Sequence, residues 1–356
     1  MSDLDERLRR LDRLDAPDLW NEIRTREPTR GSEPWPRHRL AVAMLALAVA
    51  AAGIAGATWA FTRSTGPKPS STPNPAASPG VRAFQGTLAF QRSVDGGSFH
   101  LIVLDHGVES DLGSGSEPAW SPDGSRIAFL WGYGQGQVSL YIVKPDGSGR
   151  RRLATVGGFP GMGPPAWSSD GSTIAIGTGD QGIVIVSMSD GATAVAVHRS
   201  GCREFDPTRS PKDHRLAYVA QCDLGVPGSG VRVVGEHDRV IVPDQPGTSY
   251  HSLAWSPLGD VIAFQRSVVT AQGPAENHLF LVAPDGSGLR DITRDPTLQD
   301  GDPSWSPGGS RLAFESAGKL YYQLWVMDAD GSHRVRVTFG EGQRIEDSAP
   351  AWRPGS

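Results

Sequence analysis

The chain has 356 residues, enough for one large domain with additional segments, and its 44 glycines and 28 prolines are typical of a turn-rich all-β protein. A net charge of −5 argues against a general nucleic-acid-binding protein, because neutralising phosphates requires a basic surface. The two cysteines form no Cys-x-x-Cys pair and the histidines lack zinc-binding spacing, so we predict no metal site and no cofactor.

Residues 1–39 are highly charged but balanced, with nine acidic residues and nine arginines. Leucines recur at helical spacing and form one apolar stripe, at Leu4, Leu8, Leu11 and Leu14. One interpretation is a solvated, partly helical tail, since short isolated helices are marginal in water. The other is a docking helix, through which residues 1–30 bind a cytosolic partner.

Residues 40–61 contain no charge, and a helix of that length crosses a hydrocarbon core of roughly 30 Å. Four arginines over 26–39 precede the segment, whereas only Arg63 and Lys68 follow closely. This excess predicts a single-pass span in the cell membrane, with the N-terminus cytoplasmic and the rest extracytoplasmic. A cleavable signal sequence, with small residues over 55–57, is the alternative; the long charged lead favours the uncleaved anchor.

Residues 62–81 are rich in proline, serine and threonine and contain few apolar residues. Such a segment cannot bury enough apolar surface to fold, and its prolines favour an extended chain. We predict a stalk that holds the next domain, residues 82–356, away from the membrane.

One sequence phrase recurs along this domain and is most complete as Pro-Ala-Trp-Ser-Pro-Asp-Gly-Ser-Arg-Ile-Ala-Phe over 118–129. Its tryptophan position falls every 42 to 50 residues, at Trp120, Trp167, Arg209, Trp255, Trp305 and Trp352. A period in the forties with several short strands in each copy is typical of a propeller blade. The Pro-Asp-Gly tripeptides supply the hairpin turns.

The two ends of the domain complement each other. Residues 86–104 have the strands of a blade without its Trp-containing head, whereas Ala349 to Gly355 are a head without further strands. Together they complete one blade. The sequence therefore predicts an all-β, six-bladed propeller closed by its C-terminal strand, which removes exposed strand edges.

These residues resemble the repeats of the TolB-type propeller family, in which Trp-Ser-Pro-Asp-Gly, Ile-Ala-Phe and Asp-Gly-Ser recur in each blade. The resemblance covers residues 86–355 and implies the six-bladed fold. It implies no single function, because such propellers occur in periplasmic assembly proteins, prolyl-peptidases and sensor ectodomains. TolB carries an N-terminal α/β domain where this chain has a predicted span and stalk, an arrangement similar to bacterial anti-sigma and membrane-sensor proteins.

Three residues before the tryptophan position, the six copies carry Glu117, Pro164, Asp206, Ser252, Asp302 and Ala349. In TolB-type propellers the heads form the inner strands, so the resemblance implies that Glu117, Asp206 and Asp302 approach one mouth of the central channel. There they could bind a cation or a basic peptide. The alternative is that an acidic residue followed by proline merely begins a turn.

Cys202 and Cys222 lie at equal distances from Lys212, the centre of the hairpin in the degenerate copy. Residues that face each other across antiparallel strands are close enough for a disulfide, and an extracytoplasmic location permits oxidation. We therefore predict a Cys202–Cys222 disulfide.

The sequence offers no catalytic constellation. It contains no Gly-x-Ser-x-Gly pentapeptide, and its nine histidines share no spacing that would bring them together. We expect a membrane-anchored, extracytoplasmic propeller that binds a protein, peptide or glycan without catalysis. The alternatives are a transmembrane sensor with a cytosolic docking helix, and a propeller lyase or hydrolase.

Overall fold

The computed structural model describes residues 84–355, except 135–136, 158–162, 223–228, 236, 269–275, 296, 318–320 and 341–343. This part of the chain forms 24 β-strands in six four-stranded sheets. No helix within it has the length and apolar character needed to cross a membrane. The predicted helical segment, membrane span and stalk (1–39, 40–61 and 62–81) lie outside the described residues.

We number the blades in chain order and give the strands of each from the innermost outwards. Blade 1 contains β24 (Ile345–Trp352), β1 (Thr87–Val94), β2 (His100–Asp105) and β3 (Val108–Ser114). Blade 2 contains β4 (Ser116–Trp120), β5 (Ile127–Gly134), β6 (Gln137–Val143) and β7 (Arg151–Gly157). Blade 3 contains β8 (Ala166–Trp167), β9 (Thr173–Gly177), β10 (Ile183–Ser187) and β11 (Thr193–Val197).

The second half of the ring repeats this arrangement. Blade 4 contains β12 (Cys202–Arg209), β13 (Leu216–Cys222), β14 (Gly230–Val234) and β15 (Arg239–Val242). Blade 5 contains β16 (Thr248–Trp255), β17 (Ile262–Val268), β18 (Glu276–Val282) and β19 (Arg290–Asp291). Blade 6 contains β20 (Gln299–Trp305), β21 (Arg311–Ala317), β22 (Gln323–Asp328) and β23 (Val335–Arg336).

The core lies between neighbouring blades. One apolar cluster, for example, joins Leu140 and Ile142 of blade 2 to Ile174 and Ile176 of blade 3. Because blades pack face to face, the second strand of a blade is covered on both sides. This explains why its apolar residues are consecutive instead of alternating, as in the fully buried run Ile127-Ala128-Phe129.

Tryptophan side chains link the inner strands around the ring. The indole N–H of Trp120 donates to the carbonyl of Ala351 (3.0 Å), that of Trp167 to Ala119 (3.1 Å) and that of Trp305 to Ala254 (3.0 Å). Each bond joins a blade to the preceding one. The indole N–H of Trp255, which follows the Arg209 head, is buried without a partner among the described residues.

The ring closes as the sequence predicts. β24 pairs with β1 from Leu88↔Trp352 to Val94↔Ile345. Arg92 of β1 contacts the Asp347 carboxylate at 2.6 Å and the Glu109 carboxylate at 2.7 Å, so one side chain ties β24 to the outer strand.

The residue after β24 extends this closure onto blade 2. The guanidinium of Arg353 lies 5.2 Å from the ring centroid of Trp120, and its Nε donates to the Gly124 carbonyl at 3.1 Å. Arg353 therefore connects blade 1 to blade 2.

The two cysteines face each other across β12 and β13 of blade 4. Cys202 pairs with Cys222 in the strand register, and their sulfurs form a disulfide. The hairpin is not centred on Lys212, however, because a bulge between Phe205 and Thr208 shifts the register by one residue. The turn between the two strands is centred half a residue after Lys212, and this offset cancels the shift that the bulge causes. Cys202 therefore still pairs with Cys222.

Candidate functional site

The inner strands share one irregularity at the end away from their tryptophans. Five of them contain a residue with left-handed backbone three residues before the tryptophan position: Glu117 (φ 53°), Asp206 (50°), Ser252 (53°), Asp302 (48°) and Ala349 (49°). The strand register shifts beside each of them, which identifies a β-bulge. A bulge redirects the local side chain, here towards the channel mouth.

Blade 3 achieves the same geometry differently. Its residue at this position is Pro164, and proline cannot adopt a positive φ. The preceding Gly163 takes the left-handed conformation instead, with a φ of 75°. A side chain at 163 would also overlap the carboxylate of Asp206, so glycine is required there for space as well as for conformation.

A cavity of about 430 Å³ opens where the bulges converge, and we call it the channel cavity. All three acidic residues singled out from the sequence line it. Its described lining consists of Gln91, Phe99, Glu117, Gly163, Asp206, His251, Ser252, Gln265, Asp302, Glu315, Tyr322, Glu346 and Ser348. Pro164 and Ala349, the two members of the set with no polar group in the side chain, do not contribute to the described lining.

Two lining carboxyl groups were missed by the sequence analysis, Glu315 and Glu346. Glu315 immediately follows the Leu-Ala-Phe run of β21, and Gln91 and Gln265 occupy the same place in their blades. All three line the cavity, whereas the equivalent residues of the other blades are Leu130, Gly177 and Val219. A polar residue directly after the apolar triplet was therefore an available signal.

Hydrogen bonds join the lining residues into two arcs. In one arc, the Ser252 N–H donates to Asp206 Oδ2 at 2.8 Å, and the Ser252 hydroxyl donates to the Asp302 carboxylate. In the other, Gln91 accepts from the Glu117 N–H at 3.0 Å and donates to the Ser348 hydroxyl at 2.9 Å. The bulges are thus connected from blade to blade.

The acidic groups of the cavity lack compensating positive charge. No lysine or arginine occurs among its described lining residues. The one imidazole is His251, whose Nδ1 lies 3.7 Å from Asp206 Oδ2 and whose ring stacks on Phe205 at 6.0 Å. Five carboxyl groups consequently share one cavity.

Burial and mutual repulsion disfavour ionisation here. The pKa of Glu117 is raised well above its usual range by burial, and further by the charges of Asp302 and Asp206. The pKa of Glu315 is likewise raised well above its usual range by burial and by the charge of Asp302. Burial also raises the pKa of Asp302 and that of Glu346. The folded chain therefore favours the protonated form of these carboxyl groups more than water does.

No group of three or more histidine, cysteine, aspartate or glutamate side chains with metal-binding arrangement occurs in the described part of the chain. The predicted roles of Glu117, Asp206 and Asp302 in binding a ligand remain predictions.

Comparison with known proteins indicates a TolB-like propeller. No family model matches the chain. The chain is 30% identical over 140 residues to the TolB homolog of Chlorobium luteolum, a match that covers 39% of this chain. It spans only 30% of the length of that relative.

Solved structures support the same architecture. TolB from Acinetobacter baumannii matches with a TM-score of 0.61 and 18% identity, over 76% of this chain and 67% of that one. A chain from the nidogen/laminin complex matches with a TM-score of 0.54 and 10% identity, over 75% of this chain and 98% of that one. By fold, the chain is a six-bladed β-propeller similar to that of TolB.

Proposed function

We propose that this chain is a non-catalytic binding protein that captures a segment of a protein or peptide partner at the mouth of its propeller. The observation that carries the proposal is the channel cavity, where carboxyl groups from four different blades converge without a lysine or arginine in the described lining. Uncompensated buried charge destabilises a fold, so a ligand that compensates it gains differential binding energy.

The left-handed bulges alone would not support a binding role. Ala349 adopts the same conformation as Asp206 and Asp302, so the bulge is a property of the blade. What differs between blades is the side chain placed there. Strained backbone positions that present functional groups are common at ligand sites. In this channel mouth, several of these positions present carboxyl groups.

The likeness to TolB and to a chain of the nidogen/laminin complex supports protein binding over catalysis. We further propose that residues 40–61 anchor the chain in the cell membrane, with residues 1–39 cytoplasmic and the propeller extracytoplasmic. This topology rests on the uncharged segment and the arginine excess before it. A reporter that is active only outside the membrane, fused after Ser356, is expected to be active; activity of a cytosol-only reporter there contradicts the topology.

The binding site is tested by site-specific cross-linking of the full chain in cells. A photo-cross-linking phenylalanine analogue replaces Phe99, which lines the channel cavity. The matched control replaces Leu258, a half-exposed residue in a turn at the tryptophan end of blade 5. We expect a discrete protein or peptide adduct from position 99 and none from position 258. Equal labelling at both positions, or none at 99, contradicts the proposal.

A further inference from the structure

We infer that the channel cavity holds a single cationic side chain, arginine or lysine, projecting from the partner segment. This inference rests on the proposed function and specifies its ligand chemistry. An acidic lining alone would not identify a ligand, because charge clusters also occur on solvated surfaces. The state of Glu315 provides the independent observation.

Glu315 is a buried carboxyl group that faces no lysine or arginine among the described lining residues. The residue is 9% exposed and lines the channel cavity. The Glu315 carboxyl interacts with the Asp302 carboxyl, which is itself an acceptor when ionised. Two contacting carboxyl groups can coexist only while they share a proton or while a cation lies beside them.

Several donors of the lining are already engaged in hydrogen bonds. The Ser252 hydroxyl donates to Asp302 and the Ser252 N–H to Asp206. The amide of Gln91 donates to Ser348, and that of Gln265 donates to Ser267. The lining therefore offers free acceptors to an incoming group. A guanidinium or an ammonium, which carries only donors, has the complementary chemistry.

The size of the cavity limits how much can enter. A volume of about 430 Å³ lies at the lower end of the range for ligand pockets and accommodates one long side chain with its alkyl stem. Phe99 and Tyr322 in the lining provide surface for that stem. Gly301 contributes space, since a β-carbon there would come within 2.9 Å of Glu315 Oε1.

The arrangement favours arginine over lysine. Carboxyl groups reach the cavity from β4, β12, β20, β21 and β24, so a planar fork with several donors can contact more than one of them at once. An ammonium can also bind, but as a point charge. When the cation binds, the proton shared by Asp302 and Glu315 passes to solvent.

The test uses peptides selected against the full chain from a displayed library of random 12-residue sequences. Selected peptides are synthesised and cross-linked to the full chain that carries the photo-reactive analogue at position 99. Binding constants are then measured for each peptide and for versions with arginine replaced by citrulline or lysine by norleucine, which remove the charge at nearly constant shape. The same peptides are measured on Glu315→Gln, on Asp302→Asn and on the control Glu276→Gln, an exposed carboxylate of β18 outside the described cavity lining.

We expect the peptides that label position 99 to share a basic residue, and neutralising it to weaken binding at least tenfold. Glu315→Gln and Asp302→Asn should each weaken it several-fold or more, and Glu276→Gln less than twofold. Peptides that label position 99 but tolerate citrulline or norleucine would overturn the inference while supporting the proposed function. Absence of any peptide that labels position 99 would count against both. Tight binding of Ca²⁺ or Mg²⁺ that requires Glu315, combined with tolerance of citrulline, would indicate an inorganic cation and also overturn it.

Discussion

The two ends of the inner strands are built on opposite principles. At the tryptophan end, polar groups are paired locally, as when Ser121 donates to Asp123 (2.6 Å) and Ser168 to Asp170 (2.6 Å). At the bulge end, the Glu117 side chain and the Asp302–Glu315 pair face a cavity without positive partners in the described lining. The first end repeats from blade to blade and the second varies. Repetition therefore marks what builds the ring, and variation marks where a ligand would bind.

Removal of residues 349–356 should have the largest effect, because these residues contribute to both ends of blade 1. The deletion removes the Ala351 carbonyl that accepts from Trp120, and it leaves Leu88 and Ala89 of β1 without their partners on β24. We expect loss of cooperative unfolding, or aggregation. Thermal melts of the full chain and the truncated chain, followed by circular dichroism, provide the measurement. An unchanged melt contradicts the closure.

A second effect concerns blade 4, which lacks a tryptophan and carries the disulfide. The bridge joins residues separated by 20 positions. Replacing both with serine should lower the free energy of unfolding by about 3 kcal/mol, the loss expected from the entropy of an unlinked denatured chain. Urea titration measures it. Reductant should lower the stability of the parent chain and leave the serine variant unchanged; thiol labelling of unreduced parent protein at both cysteines would refute the bridge.

The tryptophan end can be tested with a matched pair of substitutions. Trp305 donates to Ala254 at 3.0 Å, whereas the equally buried Trp255 has no described acceptor for its N–H. Both Trp→Phe changes remove the same volume, but only Trp305→Phe also breaks a hydrogen bond. We expect Trp305→Phe to cost about 1 kcal/mol more than Trp255→Phe in urea unfolding. Equal losses would mean that the indole bonds contribute nothing to the ring.

At the bulge end, removing a carboxyl group should stabilise the chain instead of destabilising it, and the size of this effect should depend on pH. Since the pKa values of Glu117 and Glu315 are raised in the folded chain, the folded state holds protons that the unfolded chain releases near pH 4.3. This stabilising contribution is complete below that pH and is lost as pH rises through the folded pKa values. Glu315→Gln should therefore raise the melting temperature at pH 8, because it removes a carboxyl group whose ionisation burial disfavours.

The gain from Glu315→Gln should disappear near pH 5. Glu276→Gln is the control and should follow the parent chain at both pH values, because its carboxylate is exposed. Melting temperatures of the parent chain and of both variants, measured between pH 5 and pH 8, test this prediction. A destabilising Glu315→Gln at pH 8 would show that other groups of the folded chain compensate the carboxylate.

The sequence predicted the ring more fully than the cavity, for a physical reason. The blade heads and the closing strand could be predicted from a repeated sequence motif, because every blade packs against its neighbours in the same way. The bulges carry no such signature: Glu117, Asp206, Ser252, Asp302 and Ala349 share a conformation but no side-chain chemistry. Alignment of the heads therefore found three of the acidic groups through their position alone.

The remaining acidic groups lay beyond that alignment. Glu315 belongs to the second strand of its blade, and Glu346 to the start of the closing strand. The disulfide pairing was obtained from a register that omitted the bulge at Asp206 and misplaced the turn by half a residue, two errors that cancel. Local spacing predicts facing residues only when both strands are regular.

Because β24 closes the ring, the ring can be completed only late in the synthesis of the chain. Gln91 of β1 and its partner Ser348 are separated by 257 residues, which a ribosome translating roughly 5–20 residues per second adds in roughly 13–50 s. During that interval five blades can form in order while β1 waits for its inner neighbour. The first strand of the ring to be made thus belongs to the last blade to be finished, and a nascent chain halted anywhere before residue 345 exits the ribosome with an unclosed ring.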